Sequence, residues 1–80
     1  MTDTIIMYGT TWCPDCTRAK RILEKNNVPY TWINIEEDKD ARQRVREING
    51  GYMSVPTILF PDGSVLVEPG NAELEARLAG

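Results

Sequence analysis

An α/β fold is predicted for this 80-residue chain by three features of its element pattern. The apolar run over residues 4–8 and the β-rich run over residues 30–35 predict two strands, with a helical pattern over residues 14–25 between them. Strand, helix and strand within about 30 residues are typical of a right-handed parallel βαβ unit. A helix, a β-hairpin and a last helix then follow in order. The chain is therefore predicted to form one domain over residues 1–80.

The first helix follows a strand that is apolar enough to be buried on both faces and contains no carboxylate. The helix is predicted to begin at Pro14, because the first helical position does not need an N–H donor. Ala19, Ile22 and Leu23 recur at helical spacing and define the face that packs inward.

The second half of the chain contains clear stop and start signals. Residues 39–48 predict a helix with Asp38 or a neighbouring residue as its N-cap, preceded by acidic residues that we interpret as a solvated helix start. Residues 57–60 and 65–67 predict a hairpin, because a Pro-Asp-Gly-Ser turn joins them. Asn71 is predicted to cap the last helix.

Composition narrows the function classes. The chain has 9 basic and 12 acidic residues, a net charge of −3 and no basic block, which argues against a nucleic-acid partner. No apolar run approaches the roughly 20 residues that a membrane span requires. Residues 1–4 lack the features of a signal peptide, so we expect a cytoplasmic, monomeric protein. In that reducing compartment, paired cysteines are usually catalytic rather than structural.

Cys13 and Cys16 form the arrangement in this sequence that can carry reaction chemistry. The thiolate is the nucleophile in thiol–disulfide exchange. Cys13 directly precedes the first predicted helical turn, where unpaired N–H groups and the helix dipole favour a negative charge. A stabilised thiolate is also a good leaving group when a second thiol attacks a mixed disulfide. Cys16, one turn later, is expected to be more enclosed and to act as the resolving thiol.

Three other interpretations of the cysteine pair remain open at this point. A structural disulfide across so short a loop would restrain little chain. Half of a zinc site is a second interpretation, but the chain has no His and no third Cys to complete it. A buried, inert pair is the third. The position of the pair at a strand–helix junction favours the catalytic interpretation.

The segment before the third strand is the second informative stretch. Pro56 has no N–H to pair, which leaves the backbone of Val55 available to bind a peptide-like substrate as an added strand. An ordinary proline at the start of a strand is the alternative.

Several side chains around these segments have two interpretations each. Trp12 is either a wall of the site or a partly exposed aromatic residue. One of Arg42, Arg44 and Arg46, or Gln43, meets an anionic substrate group, or else all of them are solvated surface. The start of the last helix, at Asn71 and Ala72, either offers N–H groups to a carboxylate or has a purely structural role.

These segments together resemble the glutaredoxin family, the short branch of the thioredoxin fold. The resemblance covers nearly the whole chain, and its specific parts are residues 12–16, residues 54–57 and the Gly50-Gly51 turn. It implies a four-stranded mixed sheet flanked by three helices, a cis peptide between Val55 and Pro56, and pairing of the substrate backbone with Val55.

Departures from the family pattern bear on the choice of thiol. Glutaredoxins that use glutathione usually carry a Lys three residues before the first Cys, where this chain has Thr10. Their Gly-Gly pair and Asp pair around the start of the last helix are not reproduced at residues 68–72. Residues 9–13 look more like the mycoredoxin subgroup, which works with mycothiol or the related bacillithiol. A sugar-bearing thiol needs hydroxyl partners, which Thr10, Thr11 and Asn71 could supply.

The resemblance implies a thiol–disulfide oxidoreductase that reduces mixed disulfides between client proteins and a low-molecular-weight thiol. Mycothiol or bacillithiol is expected in preference to glutathione, as a co-substrate, with no metal and no tightly bound cofactor. The alternatives are a dithiol redoxin served by thioredoxin reductase and a carrier in which two copies bridge an iron–sulfur cluster. The expected substrate-binding residues are Tyr8, Thr10, Thr11, Trp12, Pro14, Arg42, Gln43, Val55, Pro56, Asn71 and Ala72.

Overall fold

The computed structural model describes residues 4–79, so residues 1–3, on which the expected absence of a signal peptide partly rests, lie outside it. The elements follow the predicted order, with strand ends that differ by one residue from the predicted bounds. They are β1 (Ile5–Gly9), α1 (Pro14–Lys25), β2 (Tyr30–Asn34), α2 (Lys39–Ile48), β3 (Thr57–Leu59), β4 (Val65–Val67) and α3 (Asn71–Ala79). Within residues 4–79, none of the helices combines the length and the apolar character that crossing a membrane requires.

The four strands form one mixed sheet in the order β2-β1-β3-β4. β1 pairs in parallel with β2 and antiparallel with β3, which pairs antiparallel with β4. Gly9 lies opposite Asn34, and Tyr8 lies opposite Thr57. The end of β1, the end of β2 and the start of β3 therefore meet at one edge of the sheet, and the candidate site is built there.

Helices cover both faces of the sheet. Successive residues of β1 point to opposite sides, so neighbouring side chains of this strand pack into different cores. Met7 packs with Leu23 and Leu74 in a core under α1 and α3. Tyr8 packs with Val45 in a second core under α2. Each such burial contributes about 1.5–3 kcal/mol relative to an exposed side chain. The predicted fold class, with three helices flanking a four-stranded mixed sheet, is confirmed.

The helix starts agree with the sequence at α2 and differ by one residue at α3. Asp38 caps α2 as predicted, and its Oδ1 accepts the N–H of Ala41 over 3.0 Å. The prediction that Asn71 caps α3 was wrong, because Asn71 is already the first helical residue. The N–H of Leu74 donates to the Gly70 carbonyl over 3.0 Å, which gives Gly70 the capping position.

Candidate active site

Cys13 is the N-cap of α1. Its backbone is extended, with φ −84° and ψ 112°, and its sulfur accepts the N–H of Cys16 over 3.1 Å. Pro14 occupies the start of the helix, and the N–H of Thr17 donates to the Cys13 carbonyl over 3.2 Å. An acceptor at this position satisfies one of the unpaired N–H groups and benefits from the helix dipole, most of all when it is negatively charged. The geometry expected from the sequence is therefore present.

Cys16 has a different environment from Cys13, although both thiols are free. The Cys16 side chain is only 1% exposed, against 5% for Cys13. Burial, together with the hydrogen bond to Cys13, raises the pKa of Cys16 to about 12, although the Thr10 backbone opposes this shift. Cys16 is thus a protonated hydrogen-bond donor at neutral pH. The two thiols are therefore not equivalent, because Cys16 stays protonated whereas the Cys13 sulfur faces the helix N-terminus.

The last residue of β1 has to be a glycine for this packing to exist. A Cβ at Gly9 would lie 2.6 Å from the Cys16 sulfur and 2.7 Å from the Trp32 ring, both too close for real contacts. On the same ring, the ammonium of Lys20 lies 3.5 Å from the centroid, a cation–π arrangement. Neither Gly9 nor Trp32 was predicted from the sequence to belong to this region, although a glycine that ends an apolar strand is a recognised signal of close backbone approach.

The segment before β3 borders Cys13. The Val55–Pro56 peptide bond is cis, as the resemblance implied. The carbonyl oxygen of Val55 lies 3.9 Å from the Cys13 sulfur, a long and weak thiol contact. The hydroxyl of Thr57 donates to the Ser54 carbonyl over 2.7 Å, and this bond closes the turn that presents Val55.

A cavity of about 390 Å³ opens beside these residues. Its lining includes four of the residues expected to bind substrate, namely Thr10, Trp12, Arg42 and Val55. Trp12 is 69% exposed and still forms part of the wall, so both interpretations of this residue apply. Within residues 4–79, the buried hydroxyl of Thr10 has no hydrogen-bond partner. A ligand that offers a hydroxyl group would supply one.

The cavity also contains residues that the sequence analysis did not select, among them Glu36 and Met53. The acidic residues before α2 had been interpreted as a solvated helix start, but the Glu36 carboxylate accepts the indole N–H of Trp12 over 3.0 Å. These two residues are 24 positions apart. No local pattern could have revealed this contact.

Arg42 is fixed against the main chain beside Glu36. One guanidinium nitrogen, Nη1, donates to the carbonyls of Ile35 and Glu36, each over 3.0 Å. The side chain is half-buried as a result. Arg42 therefore contributes a cation to the wall, but part of its donor capacity is already used.

The remaining expected residues lie outside this cavity wall. Tyr8 is buried in the core under α2. Thr11 and Gln43 are exposed, as are Asn71 and Ala72 at the start of α3. The N–H of Glu68 donates to the Pro56 carbonyl over 2.9 Å, which brings the chain that leads into α3 to the same end of the sheet as Cys13.

Two further features of the described chain concern metal binding and a second cavity. No group of three or more His, Cys, Asp or Glu side chains within residues 4–79 is arranged to hold a metal ion. A second cavity of about 330 Å³ lies at the opposite end of β1, between residues such as Ile5, Val28 and Phe60. This second cavity does not border the cysteine pair, whereas the first is lined by Trp12, which directly precedes Cys13, and by Val55, whose carbonyl contacts the Cys13 sulfur.

Comparison with known proteins agrees with this geometry. The profile of the glutaredoxin family matches residues 5–65. A Mycobacterium tuberculosis protein provisionally named a glutaredoxin is 38% identical over 78 residues, which cover 98% of this chain and 93% of that protein. Mycoredoxin 1 of Corynebacterium glutamicum is 31% identical over 74 residues, which cover 92% of this chain and 91% of that protein.

Solved structures lead to the same assignment. The glutaredoxin of Archaeoglobus fulgidus superposes with a TM-score of 0.80 at 28% identity, covering 95% of this chain and 86% of that one. This likeness confirms the predicted thioredoxin fold of glutaredoxin type. With its CxxC pair at the start of α1 and a family match over most of its length, this chain belongs to the glutaredoxin family.

Proposed function

We propose that the protein reduces mixed disulfides between proteins and a low-molecular-weight thiol, with Cys13 as the nucleophile. The observation that carries this proposal is the position of the Cys13 sulfur. It accepts a helix N-terminal N–H over 3.1 Å and lies beside a cavity large enough for part of a small thiol. Membership of the glutaredoxin family supports the same reaction class.

In the first step, the Cys13 thiolate attacks the small-thiol sulfur of the mixed disulfide. The bond between that sulfur and the client protein breaks, the client leaves as a thiolate, and a new disulfide joins Cys13 to the small thiol. A second small-thiol thiolate then attacks the bound small-thiol sulfur. This attack releases a small-molecule disulfide and regenerates the Cys13 thiolate.

Cys16 provides a second route to resolution. Its sulfur attacks Cys13, its proton passes to the departing small thiol, and a Cys13–Cys16 disulfide forms that needs two electrons from a reductant. The raised pKa of Cys16 makes this route slow unless the proton moves during the attack. We therefore infer that Cys16 is dispensable when the small thiol is plentiful.

The co-substrate we propose is a sugar thiol, mycothiol or bacillithiol, rather than glutathione. Thr10 offers a buried hydroxyl without a partner within residues 4–79, and the exposed face of Trp12 suits the apolar face of a sugar ring. The likeness to a relative named mycoredoxin 1 supports the same choice.

The test uses a reduced Cys16→Ser variant, which can accept a small thiol but cannot form the internal disulfide. It is mixed separately with one test protein that carries glutathione, mycothiol or bacillithiol, and the intact product is weighed over time. We expect the mass of one sugar thiol to appear on Cys13 fastest, and no transfer when Cys13 is also replaced by Ser.

The other outcomes decide between the remaining functions. Faster transfer of glutathione than of either sugar thiol would identify an ordinary glutathione-dependent glutaredoxin. Failure to accept any of the three thiols would overturn the proposal in favour of a dithiol redoxin or a cluster carrier.

A further inference from the structure

A carboxylate stands in the wall of the cavity beside Cys13. Among the described residues that line this cavity, Glu36 is the one acidic side chain. Its Oε2 accepts the indole N–H of Trp12 over 3.0 Å, and Trp12 directly precedes Cys13. The negative charge is therefore tied to the residue next to the reactive sulfur, rather than left free on a surface loop.

The same wall also holds one positive charge, which is not paired with Glu36. Arg42 is the one basic residue in the described lining, and its Nη1 is shared between the carbonyls of Ile35 and Glu36. No ion pair joins its guanidinium to the Glu36 carboxylate within residues 4–79. Thr10 adds a neutral hydroxyl. An incoming anion would thus meet the Glu36 carboxylate, whose partner is the neutral Trp12 indole, and a guanidinium that keeps its positive charge but has Nη1 already bound to the main chain.

This wall discriminates between small thiols by charge. Glutathione carries an unpaired carboxylate at its glycine end and a carboxylate beside an ammonium at its glutamyl end, so its glycine end brings a net negative charge towards Glu36. Two like charges a few ångström apart at a wet surface repel enough to change a rate by about fivefold. A hydroxyl-rich thiol without a carboxylate, such as mycothiol, meets no such repulsion and can donate hydrogen bonds to Glu36 and Thr10. Bacillithiol carries the two carboxylates of its malyl group, so of the two sugar thiols this wall favours mycothiol.

We propose that Glu36, held in place by Trp12, is a specificity-determining residue that disfavours carboxylate-bearing thiols at Cys13. The inference rests on the proposed function, because it requires that small thiols reach Cys13. It adds to that function the residue that selects among those thiols and the physical basis of the selection.

The experiment compares two probes that differ in their carboxylates. One peptide is prepared as its mixed disulfide with glutathione and, separately, with glutathione diethyl ester. Transfer of each thiol to Cys13 is followed by intact mass in the Cys16→Ser background. The quantity measured is the ratio of the ester rate to the glutathione rate, because intrinsic differences between the two thiols are the same for every variant.

Glu36→Gln is expected to lower this ratio about fivefold, because it removes the repulsion of glutathione and keeps a hydrogen-bond acceptor for Trp12. Glu36→Lys is expected to lower the ratio further, to a value that favours glutathione over its ester. The matched control is Glu37→Gln, which removes an adjacent, exposed carboxylate that is not part of the wall and should keep the original ratio. Added salt should reduce the difference in this rate ratio between the protein with Glu36 and its Glu36→Gln variant, because salt screens the repulsion.

The possible results distinguish a failure of the Glu36 inference from a failure of the proposed function. If transfer proceeds but Glu36→Gln leaves the ratio unchanged, or slows both probes equally, Glu36 is structural and the inference is overturned while the proposed function stands. An equal change of the ratio in Glu37→Gln would overturn it as well, since the effect would then be one of overall charge. If neither thiol reaches Cys13 in any variant, the proposed function fails and the inference fails with it.

Discussion

Helices α1 and α2 begin with the same kind of N-cap, in which a side-chain atom accepts a backbone N–H. Only one of the two capping side chains, the Cys13 thiol, can take part in thiol–disulfide exchange. The sulfur of Cys13 accepts the N–H of Cys16 over 3.1 Å at the start of α1. A carboxylate oxygen of Asp38 accepts the N–H of Ala41 over 3.0 Å at the start of α2. Both capping residues have an extended backbone, with φ −84° and ψ 112° against φ −133° and ψ 103°. Cys13 is buried beside a cavity, whereas Asp38 is exposed.

The comparison shows how one interaction can serve either stability or reactivity. A helix start favours a nearby negative charge by about 0.3–1 kcal/mol at an exposed site and more at a partly buried one. The Asp38 carboxylate is not a nucleophile towards disulfide sulfur, so its cap only stabilises the helix. A thiol gains this interaction in full only as the thiolate. The same backbone geometry is therefore the one that the proposed nucleophile at Cys13 requires.

The strongest test of this contrast replaces the sulfur and keeps the cap. Serine is a good N-cap, so Cys13→Ser should change the free energy of unfolding by no more than about 1 kcal/mol. Transfer of a small thiol should fall by at least about 1000-fold, because a hydroxyl at neutral pH is a poor nucleophile towards disulfide sulfur. Urea denaturation and the mass assay measure the two effects. Retention of full transfer would show that Cys13 is not the nucleophile.

The next test concerns the close packing of Gly9, at the end of β1, against the Cys16 sulfur in the first turn of α1. Gly9→Ala would place a methyl group 2.6 Å from the Cys16 sulfur, which should destabilise the fold by about 1–3 kcal/mol. Denaturant unfolding of the single variants and of a Gly9→Ala/Cys16→Ala double variant measures the coupling between the two sites. We expect Gly9→Ala to cost about 1 kcal/mol less when the sulfur is absent. Additive effects would mean that the two groups do not compete for the same space.

A third test uses the pH dependence of the free energy of unfolding to detect the buried Cys16 thiol. Burial raises the pKa of Cys16 from 9.0 to about 12, so the folded state keeps a proton that the unfolded chain loses earlier. The resulting stabilisation is complete below about pH 9 and is lost as the pH rises towards 12. By pH 10, the wild type should lose about 1 kcal/mol more stability, relative to pH 7, than Cys16→Ser does. Parallel pH profiles for the two proteins would contradict the raised pKa.

The same contrast explains which features could be predicted from the sequence. The starts of α1 and α2 follow from residues that are neighbours in the chain, such as Pro14 and Asp38, and local rules predict both. The bond between Trp12 and Glu36 joins residues from different loops that only the folded sheet brings together. The start of α3 was misplaced by one residue, because Gly70 and Asn71 are both acceptable caps and the sequence does not choose between them.

The smallest expected effect belongs to the cap that carries no chemistry. Asp38→Ala removes the acceptor of the Ala41 N–H and should lower the free energy of unfolding by about 1 kcal/mol. Transfer to Cys13 should stay within about twofold of wild type, since the Asp38 carboxylate is not part of the cavity wall. Asp38→Asn keeps an acceptor and removes the charge, so urea denaturation of both variants separates the hydrogen bond from the helix dipole. If Asp38→Ala slowed transfer as strongly as Cys13→Ser, the division between a structural cap and a reactive cap would not hold.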